Sequence, residues 1–177
     1  MDKMAFVVRK AVDEDIPQII EISKEAFRVY AEGAGITAYV NPLEETYEDL
    51  KREISNKLVL VALLDGVIVG SVRIEVYDDK TAYLSRFGVR SEVQNKGFGK
   101  LIMNAVDSAM NSIGITNLYL HTASRMLSLV RFYYGRGFYI ESTSKDRGYI
   151  RALLCKEYEI DNRNNLAEAG YENLAVV

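Results

Sequence analysis

Two glycines at the start of a predicted helix form the segment of this sequence best suited to chemistry. Gly97 and Gly99 fall where a predicted strand has ended, at Val89, and an amphipathic helix begins. The first turn of a helix has unpaired N–H groups and the positive end of the helix dipole, and glycine lets another molecule approach the backbone closely. With Lys96 and Lys100 beside it, this turn is suited to bind an anion, most naturally a diphosphate.

The alternative for this segment is an ordinary strand-to-helix turn. Two glycines in the first turn of a helix cost about 1 kcal/mol each relative to alanine, which favours phosphate binding over a purely structural role. The spacing is not the Gly-x-Gly-x-x-Gly fingerprint of dinucleotide-binding folds. It is not a P-loop either, because the Gly-Lys-Ser/Thr ending is missing.

The elements predicted around this turn follow the order β-α-α-β-β-β-α-β-α-β-β. Three successive strands between Leu58 and Val89, the first two joined by the hairpin turn Asp65-Gly66, form an antiparallel meander. The strand, helix and strand that follow predict a parallel pair joined by a right-handed crossover. We therefore predict an α/β or α+β layered fold, with a mixed sheet and helices on its faces.

Apolar residues at helical spacing predict the helices of this fold. One helix restarts at Asn41-Pro42, with Tyr47 on its apolar stripe, and the most regular stripe follows Gly97. The stripes comprise Ile16 to Tyr30, Leu43 to Ile54, Phe98 to Ile113, and Met126 to Tyr133.

Composition excludes several classes of protein. The chain has 177 residues, of which 49% are apolar and 27% charged, as in an average globular domain. The net charge is −3 and there is no basic block, so a nucleic-acid partner is not expected. With His121 and Cys155 as the sole histidine and cysteine, a zinc site is nearly excluded, and so is an intrachain disulfide. Without a long apolar run, we expect a cytoplasmic protein that does not bind membranes.

Two motifs resemble a known family. Gln94-Asn95-Lys96-Gly97-Phe98-Gly99 resembles the Gln/Arg-x-x-Gly-x-Gly/Ala motif of the GNAT superfamily, the Gcn5-related N-acetyltransferases. About 40 residues downstream, Phe132-Tyr133-Tyr134-Gly135-Arg136-Gly137-Phe138 resembles the family's Phe/Leu-Tyr-x-x-x-Gly-Phe segment. The resemblance implies a mostly antiparallel sheet of six or seven strands, with a splayed pair of parallel central strands. The order of elements matches that fold across about residues 5–158. From the chain length and composition we predict a single domain over residues 1–160, followed by a polar tail over 161–177.

The resemblance also implies acetyl-coenzyme A as the co-substrate, with no metal. In the family, backbone amides of the glycine motif hold the pyrophosphate, and the pantetheine arm pairs with the strand that precedes the motif. The positions expected to bind the coenzyme are Phe87, Gly88, Val89, Gln94, Asn95, Lys96, Gly97, Phe98, Gly99, Lys100 and Arg136.

The catalytic roles also come from the resemblance. Tyr133 matches the tyrosine that commonly protonates the leaving thiolate in this family, although its apolar stripe alone favours a core position. Many members carry a glutamate base at the place of Ser85, and an asparagine at the place of Met126. Glu75 on the neighbouring strand is a candidate base, and a chain of water molecules without a single base is the alternative. The implied reaction is direct attack of an amine in a ternary complex.

His121 is a further candidate base because it is the sole histidine and lies near the splayed strand. Leu118, Leu120 and Thr122 share one face of that strand, so the His121 side chain is expected on the other face. We expect a structural histidine at this position.

In this family, the helices near the N-terminus line the cleft that binds the acceptor. Here they carry Tyr30 and Tyr47 together with the acids Glu44 and Glu48, which would suit a cationic amine. A solvated helix face is the alternative. A small polyamine-like amine, an amino sugar and a peptide N-terminus all remain compatible.

Two functions from different classes are compatible with these features. The first is an N-acetyltransferase acting on a primary amine, and the second is a non-catalytic domain that binds acetyl-coenzyme A as a sensor. The intact glycine motif and Tyr133 favour the enzyme. Homodimerisation is left open.

Overall fold

A computed structural model describes residues 4–37 and 41–159. The predicted polar tail over 161–177 lies outside the described residues. One seven-stranded mixed sheet organises the described part of the chain, in the order β1-β2-β3-β4-β5-β7-β6. Its strands are β1 (Phe6–Lys10), β2 (Leu58–Leu64), β3 (Val67–Val76), β4 (Thr81–Val89), β5 (Asn117–Ala123), β6 (Tyr139–Ser144) and β7 (Arg151–Glu157).

Helices cover parts of both faces of the sheet. They are α1 (Ile16–Ala34), α2 (Asn41–Glu44), α3 (Tyr47–Asn56), α4 (Phe98–Ser112) and α5 (Leu127–Tyr134). The larger core cluster joins alternate strand residues such as Leu84, Leu118 and Leu120 to the apolar stripe of α4. A smaller cluster joins α1 and Leu50 of α3 to the opposite face of β2 and β3. The predicted layered α/β architecture is confirmed.

The central strands β4 and β5 run parallel and then separate. Pairing between them covers three positions, from Thr81 opposite Asn117 to Tyr83 opposite Tyr119. Beyond these positions β4 stays paired with β3, while β5 stays paired with β7 as far as Ala123. Since each strand has a partner on its other side, the gap opens without loss of the sheet. This splay confirms the expectation drawn from the family resemblance.

The helix predicted to restart at Asn41 is instead divided in two. Thr46 has extended backbone and accepts a hydrogen bond from the Asp49 N–H, while the Asp49 side chain accepts one from the Thr46 N–H. This reciprocal cap begins a new helix at Tyr47. The Tyr47 side chain is therefore 42% exposed at the first position of α3, and its predicted place on an apolar stripe is wrong.

Candidate functional site

A cleft of about 1050 Å³ follows the gap between β4 and β5. At one end, which we call the loop end, residues 94–97, 99 and 100 line it together with Phe87 and Phe132. At the other, the tyrosine end, it is lined by side chains from α1, α3, β3, β4, β5 and β7. The residues that define the tyrosine end are Tyr30, Glu45, Asp49, Glu53, Arg73, Tyr83, His121, Tyr149 and Arg151.

The loop end is shaped by left-handed backbone before α4. Asn95 has φ 61° and Gly97, the residue that precedes the first turn of α4, has φ 88°. A side chain at Gly97 would meet no described atom within 4 Å, so the backbone here faces open space. The Gln94 side chain donates to the Val89 carbonyl oxygen at 3.1 Å, which ties the loop to the end of β4. These features leave open space in front of the first turn of α4, where the sequence predicts an anion site.

The Phe98 side chain lies in the core and not in the cleft. It is buried and stacks on Phe6 with ring centroids 5.4 Å apart, whereas its neighbours Gly97 and Gly99 line the cleft. A side chain at Gly99 would contact the rings of Phe87 and Phe132 at 3.5 to 3.7 Å. These are ordinary van der Waals distances, so the loop at Gly99 lies directly beside the two stacked rings.

Tyr133 lies deeper in the same cleft, on α5. Its ring is 6% exposed and makes edge contacts with Phe132 and Phe138 at 5.3 and 5.6 Å. Burial raises the pKa of the phenol, so the hydroxyl keeps its proton at neutral pH. The residue is both a core aromatic and a lining residue of the cleft. A protonated phenol at this position can donate to a developing anion.

The tyrosine end contains a close phenol–imidazole pair. The Tyr83 Oη and His121 Nδ1 atoms are 2.7 Å apart, and both side chains are partly buried. Burial, and then the charge of Arg151, lowers the pKa of His121. Burial raises the pKa of Tyr83 against the opposing effect of Arg151. Beside this pair, the Tyr30 and Tyr149 hydroxyls lie 3.4 Å apart.

A buried ion pair forms part of the lining, or wall, of the tyrosine end. The Arg73 side chain is 1% exposed and donates both terminal nitrogens to the Glu45 carboxylate, at 2.5 and 2.7 Å. Its Nη2 also lies 3.4 Å from the Ser23 hydroxyl of α1. Arg73 of β3 therefore links α1 to the segment between α2 and α3, because Ser23 and Glu45 both accept hydrogen bonds from its guanidinium.

The other acids of this wall also have cationic neighbours. Glu53 lies 2.9 Å from the Lys57 ammonium, and Asp49 lies 3.4 Å from Arg52. The wall therefore carries paired charges instead of an uncompensated acidic surface.

Several predicted site residues do not line the cleft. Glu75 lies 3.5 Å from Lys57 and its side chain is 43% exposed. Arg136 donates to the Asn104 side chain at 3.2 Å on the exposed surface. Glu44, Tyr47 and Glu48 are exposed outside the lining, whereas Tyr30 lines it. Their predicted roles stay predictions, and the structure does not bring these five residues to the cleft with Tyr133.

The predicted coenzyme-binding residues are brought together, with two exceptions. Phe98 is buried against Phe6 and Arg136 lies on the surface. The others line the cleft: Phe87, Gly88, Val89, Gln94, Asn95, Lys96, Gly97, Gly99 and Lys100. Gly88 also permits a close approach to α1, since a side chain there would come within 2.9 Å of the Ala26 methyl group.

No motif in the sequence marks Tyr83, Arg73 or Arg151 as site residues, although all three line the cleft. The alternation along β5 correctly places the His121 side chain opposite Leu118 and Leu120. The cleft follows the gap between β4 and β5, so His121 lines it together with Leu120 and Thr122 of the other face. The alternation of apolar residues along β5 therefore predicts the orientation of the His121 side chain. It does not predict that the gap between β4 and β5 opens beside that side chain.

Within residues 4–37 and 41–159, no three histidine, cysteine or acidic side chains lie close enough to hold a metal ion. None of the helices described here has both the length and the apolar character needed to cross a membrane.

The model of the acetyltransferase (GNAT) family matches residues 16–138. Comparison with curated protein sequences finds no match. Among solved structures, the chain is similar to the PaiA N-acetyltransferase from Thermoplasma acidophilum in complex with coenzyme A. The two are 25% identical over 88% of this chain and 100% of that one, with a TM-score of 0.76.

Two less similar structures share the fold. The ribosomal-protein-S18-alanine N-acetyltransferase from Escherichia coli is 14% identical, over 92% of this chain and 99% of that one, with a TM-score of 0.72. The ribosomal-protein-alanine N-acetyltransferase from Brucella melitensis is 17% identical, over 85% and 99%, with a TM-score of 0.69.

Proposed function

The chain belongs to the GNAT acetyltransferase family, and from this premise we propose that it transfers the acetyl group of acetyl-coenzyme A to a primary amine. One observation carries the proposal. The glycine turn before α4, the separated edge of β4 and the Tyr133 side chain all line one cleft. We further propose residues 1–160 as a single acetyltransferase domain.

The loop end is the proposed site of the coenzyme. Backbone N–H groups of residues 95–100 are suited to the pyrophosphate, with Lys96 and Lys100 adding positive charge. The separated edge of β4 from Phe87 to Val89 is suited to the pantetheine amides, because an extended chain can pair there like an added strand. The similar PaiA structure contains coenzyme A, which supports this part of the proposal.

The proposed reaction proceeds by direct attack in a ternary complex. The neutral amine attacks the thioester carbonyl, and a backbone N–H near Val89 stabilises the oxyanion. When the tetrahedral intermediate collapses, the C–S bond breaks and the thiolate takes the Tyr133 proton. The proton that the new amide nitrogen loses returns to Tyr133. Holding both substrates in one cleft supplies much of the acceleration.

The paired charges of the tyrosine end affect which class of acceptor amine is favoured. A small cationic amine and a peptide N-terminus are the acceptor classes we propose. Because Glu45, Glu53 and Asp49 each lie beside a cation, the wall offers little net attraction for a second positive charge. This favours a peptide N-terminus, or another amine with an uncharged remainder, over a polycation.

A direct assay tests the proposed function. Acetyl-coenzyme A is incubated with the protein and with a short peptide bearing a free α-amino group or with 1,4-diaminobutane, and free thiol is measured. Amine-dependent thiol release with formation of the acetylated amine is expected. Coenzyme binding by calorimetry without release toward any amine tested would instead favour the non-catalytic sensor.

A further inference from the structure

The hydrogen bond between Tyr83 and His121 lies where the central strands part. Tyr83 is the last residue of β4 paired with β5, and His121 is two residues beyond its partner Tyr119. At 2.7 Å between Oη and Nδ1, the contact has the length of a strong hydrogen bond. Both residues line the cleft. The pair therefore spans the mouth of the gap, on the face of the sheet toward α1.

Charged and titratable groups around the imidazole favour its neutral form. Burial disfavours a positive charge on the imidazole most strongly, and Arg151 of β7 and Arg147 of the preceding turn act in the same direction. Asp146 of that turn has the opposite effect. The pKa of His121 is consequently lowered from its ordinary value. A neutral imidazole whose Nδ1 accepts from the Tyr83 hydroxyl has its single N–H on Nε2. The pair can therefore accept a proton at neutral pH.

We propose that Tyr83 and His121 together remove the proton from the incoming acceptor ammonium. This inference rests on the proposed acetyltransferase function and adds the base that function requires. Ser85, where many family members carry a glutamate, cannot serve as this base. Glu75 lies at an exposed position beside Lys57, outside the cleft lining.

The proton balance is complete. The ammonium N–H bond breaks and its proton passes to Tyr83 Oη, while the Tyr83 hydroxyl proton passes to His121 Nδ1. The amine lone pair is then free to attack, and the imidazolium later releases its proton to solvent, which Arg151 and Arg147 favour. The second amine proton is the one lost from the new amide, and it replaces the proton that Tyr133 gives to the thiolate. One proton is therefore released for each acetyl group transferred.

The pH dependence of kcat/KM separates a base from a structural pair. A peptide α-amine has a pKa of about 8, so about one tenth of it is neutral at pH 7. With the pair intact, kcat/KM should rise with a midpoint below the ordinary imidazole pKa of about 6.5. His121→Gln and Tyr83→Phe should instead follow the neutral fraction of the amine. The expected loss is about tenfold at pH 7, and it disappears above about pH 9.

A spectroscopic measurement checks the pair without an acceptor. Since His121 is the sole histidine, its ¹⁵N-labelled imidazole signals need no assignment. They should show the Nε2–H tautomer and a midpoint below about 6.5. Tyr83→Phe should shift the Nδ1 signal, whereas the matched control Tyr119→Phe, on the same strand as His121 and outside the cleft lining, should leave kcat/KM unchanged.

The outcomes distinguish the two proposals. Active wild-type protein whose pH profile is unchanged in His121→Gln and Tyr83→Phe would overturn the pair and leave the acetyltransferase standing. A uniform loss at all pH values, without recovery above pH 9, would show a structural pair and also overturn the inference. Wild-type protein inactive toward peptide and diamine would overturn the acetyltransferase, and the pair's role with it. Calorimetric binding of coenzyme A shows that each variant is folded.

Discussion

The loop end and the tyrosine end of the cleft are assembled from different kinds of sequence information. Residues 94–100 are contiguous, and the coenzyme site proposed there depends on backbone amides and on the left-handed conformation at Gly97. At the tyrosine end, Tyr30, Arg73, Tyr83 and His121 come from four separate elements. A short motif can encode the first end, whereas only the packing of the sheet against α1 assembles the second.

The two ends also differ in their charges. Lys96 and Lys100 are exposed, so they are available to an anion. Arg73 is 1% exposed and bound to Glu45, so its charge stabilises the wall instead of a ligand. A charged residue that lines a cleft is therefore available to a ligand only when its charge is not already paired within the protein.

The largest effect is expected from breaking the ion pair of the tyrosine end. Arg73→Met leaves the buried Glu45 carboxylate without its cation, which should lower the free energy of unfolding by about 3–5 kcal/mol. Arg73→Met combined with Glu45→Met should recover most of that loss, because no charge then remains buried. Urea unfolding measures both. A single variant as stable as wild type would show that the carboxylate finds another partner.

Tyr133→Phe should have the next largest effect, on turnover alone. The ring is retained and only the hydroxyl is lost, so coenzyme affinity at the loop end should persist while kcat falls about 10²–10⁴-fold. The neighbouring hydroxyl supplies the control. Tyr134 is 51% exposed and lies outside the cleft lining, so Tyr134→Phe should leave kcat near wild type. Near-normal turnover in Tyr133→Phe would mean that solvent protonates the thiolate.

The loop end is tested by substitution of Gly97. Gly97→Val forces a branched side chain onto left-handed backbone and into the space in front of the loop, so backbone hydrogen bonds to a phosphate are lost. At about 1.5–3 kcal/mol for a hydrogen bond to a charged group, the Kd for acetyl-coenzyme A should rise about 10–100-fold.

Gly114→Val is the matched control for this substitution. Gly114 also has a positive φ, 73°, and follows the other end of α4, where a side chain would likewise meet no described atom within 4 Å. Its strain is comparable, yet its effect on the Kd should be negligible. Equal Kd values for the two variants would contradict an anion site at the loop end.

The smallest effect is expected at the acids outside the cleft. Glu44 and Glu48 are exposed to solvent and lie outside the lining, where charges are screened beyond about 8 Å at physiological ionic strength. Replacing both by glutamine should therefore change the acceptor KM by less than about twofold. A larger rise that shrinks with added salt would restore the predicted role of these carboxylates in attracting a cationic acceptor.

Much of the fold follows from local patterns along the sequence. The apolar stripe that starts at Phe98 gives α4, and the Asp65-Gly66 turn gives the β2–β3 hairpin, because helix and strand periodicities act over a few residues. The two motifs likewise locate the glycine turn and Tyr133. The break before Tyr47 was indicated by Thr46 and Asp49, a capping pair that the apolar stripe concealed.

What the tertiary structure alone decided is which faces are open and which charges are paired. Periodicity assigned the His121 side chain to one face of β5, but only the fold opens a gap between β4 and β5 beside it and brings the Tyr83 hydroxyl to it. The pairing of Arg73 with Glu45 joins residues 28 positions apart. Such contacts depend on how several elements pack at once, and no window of sequence contains that information.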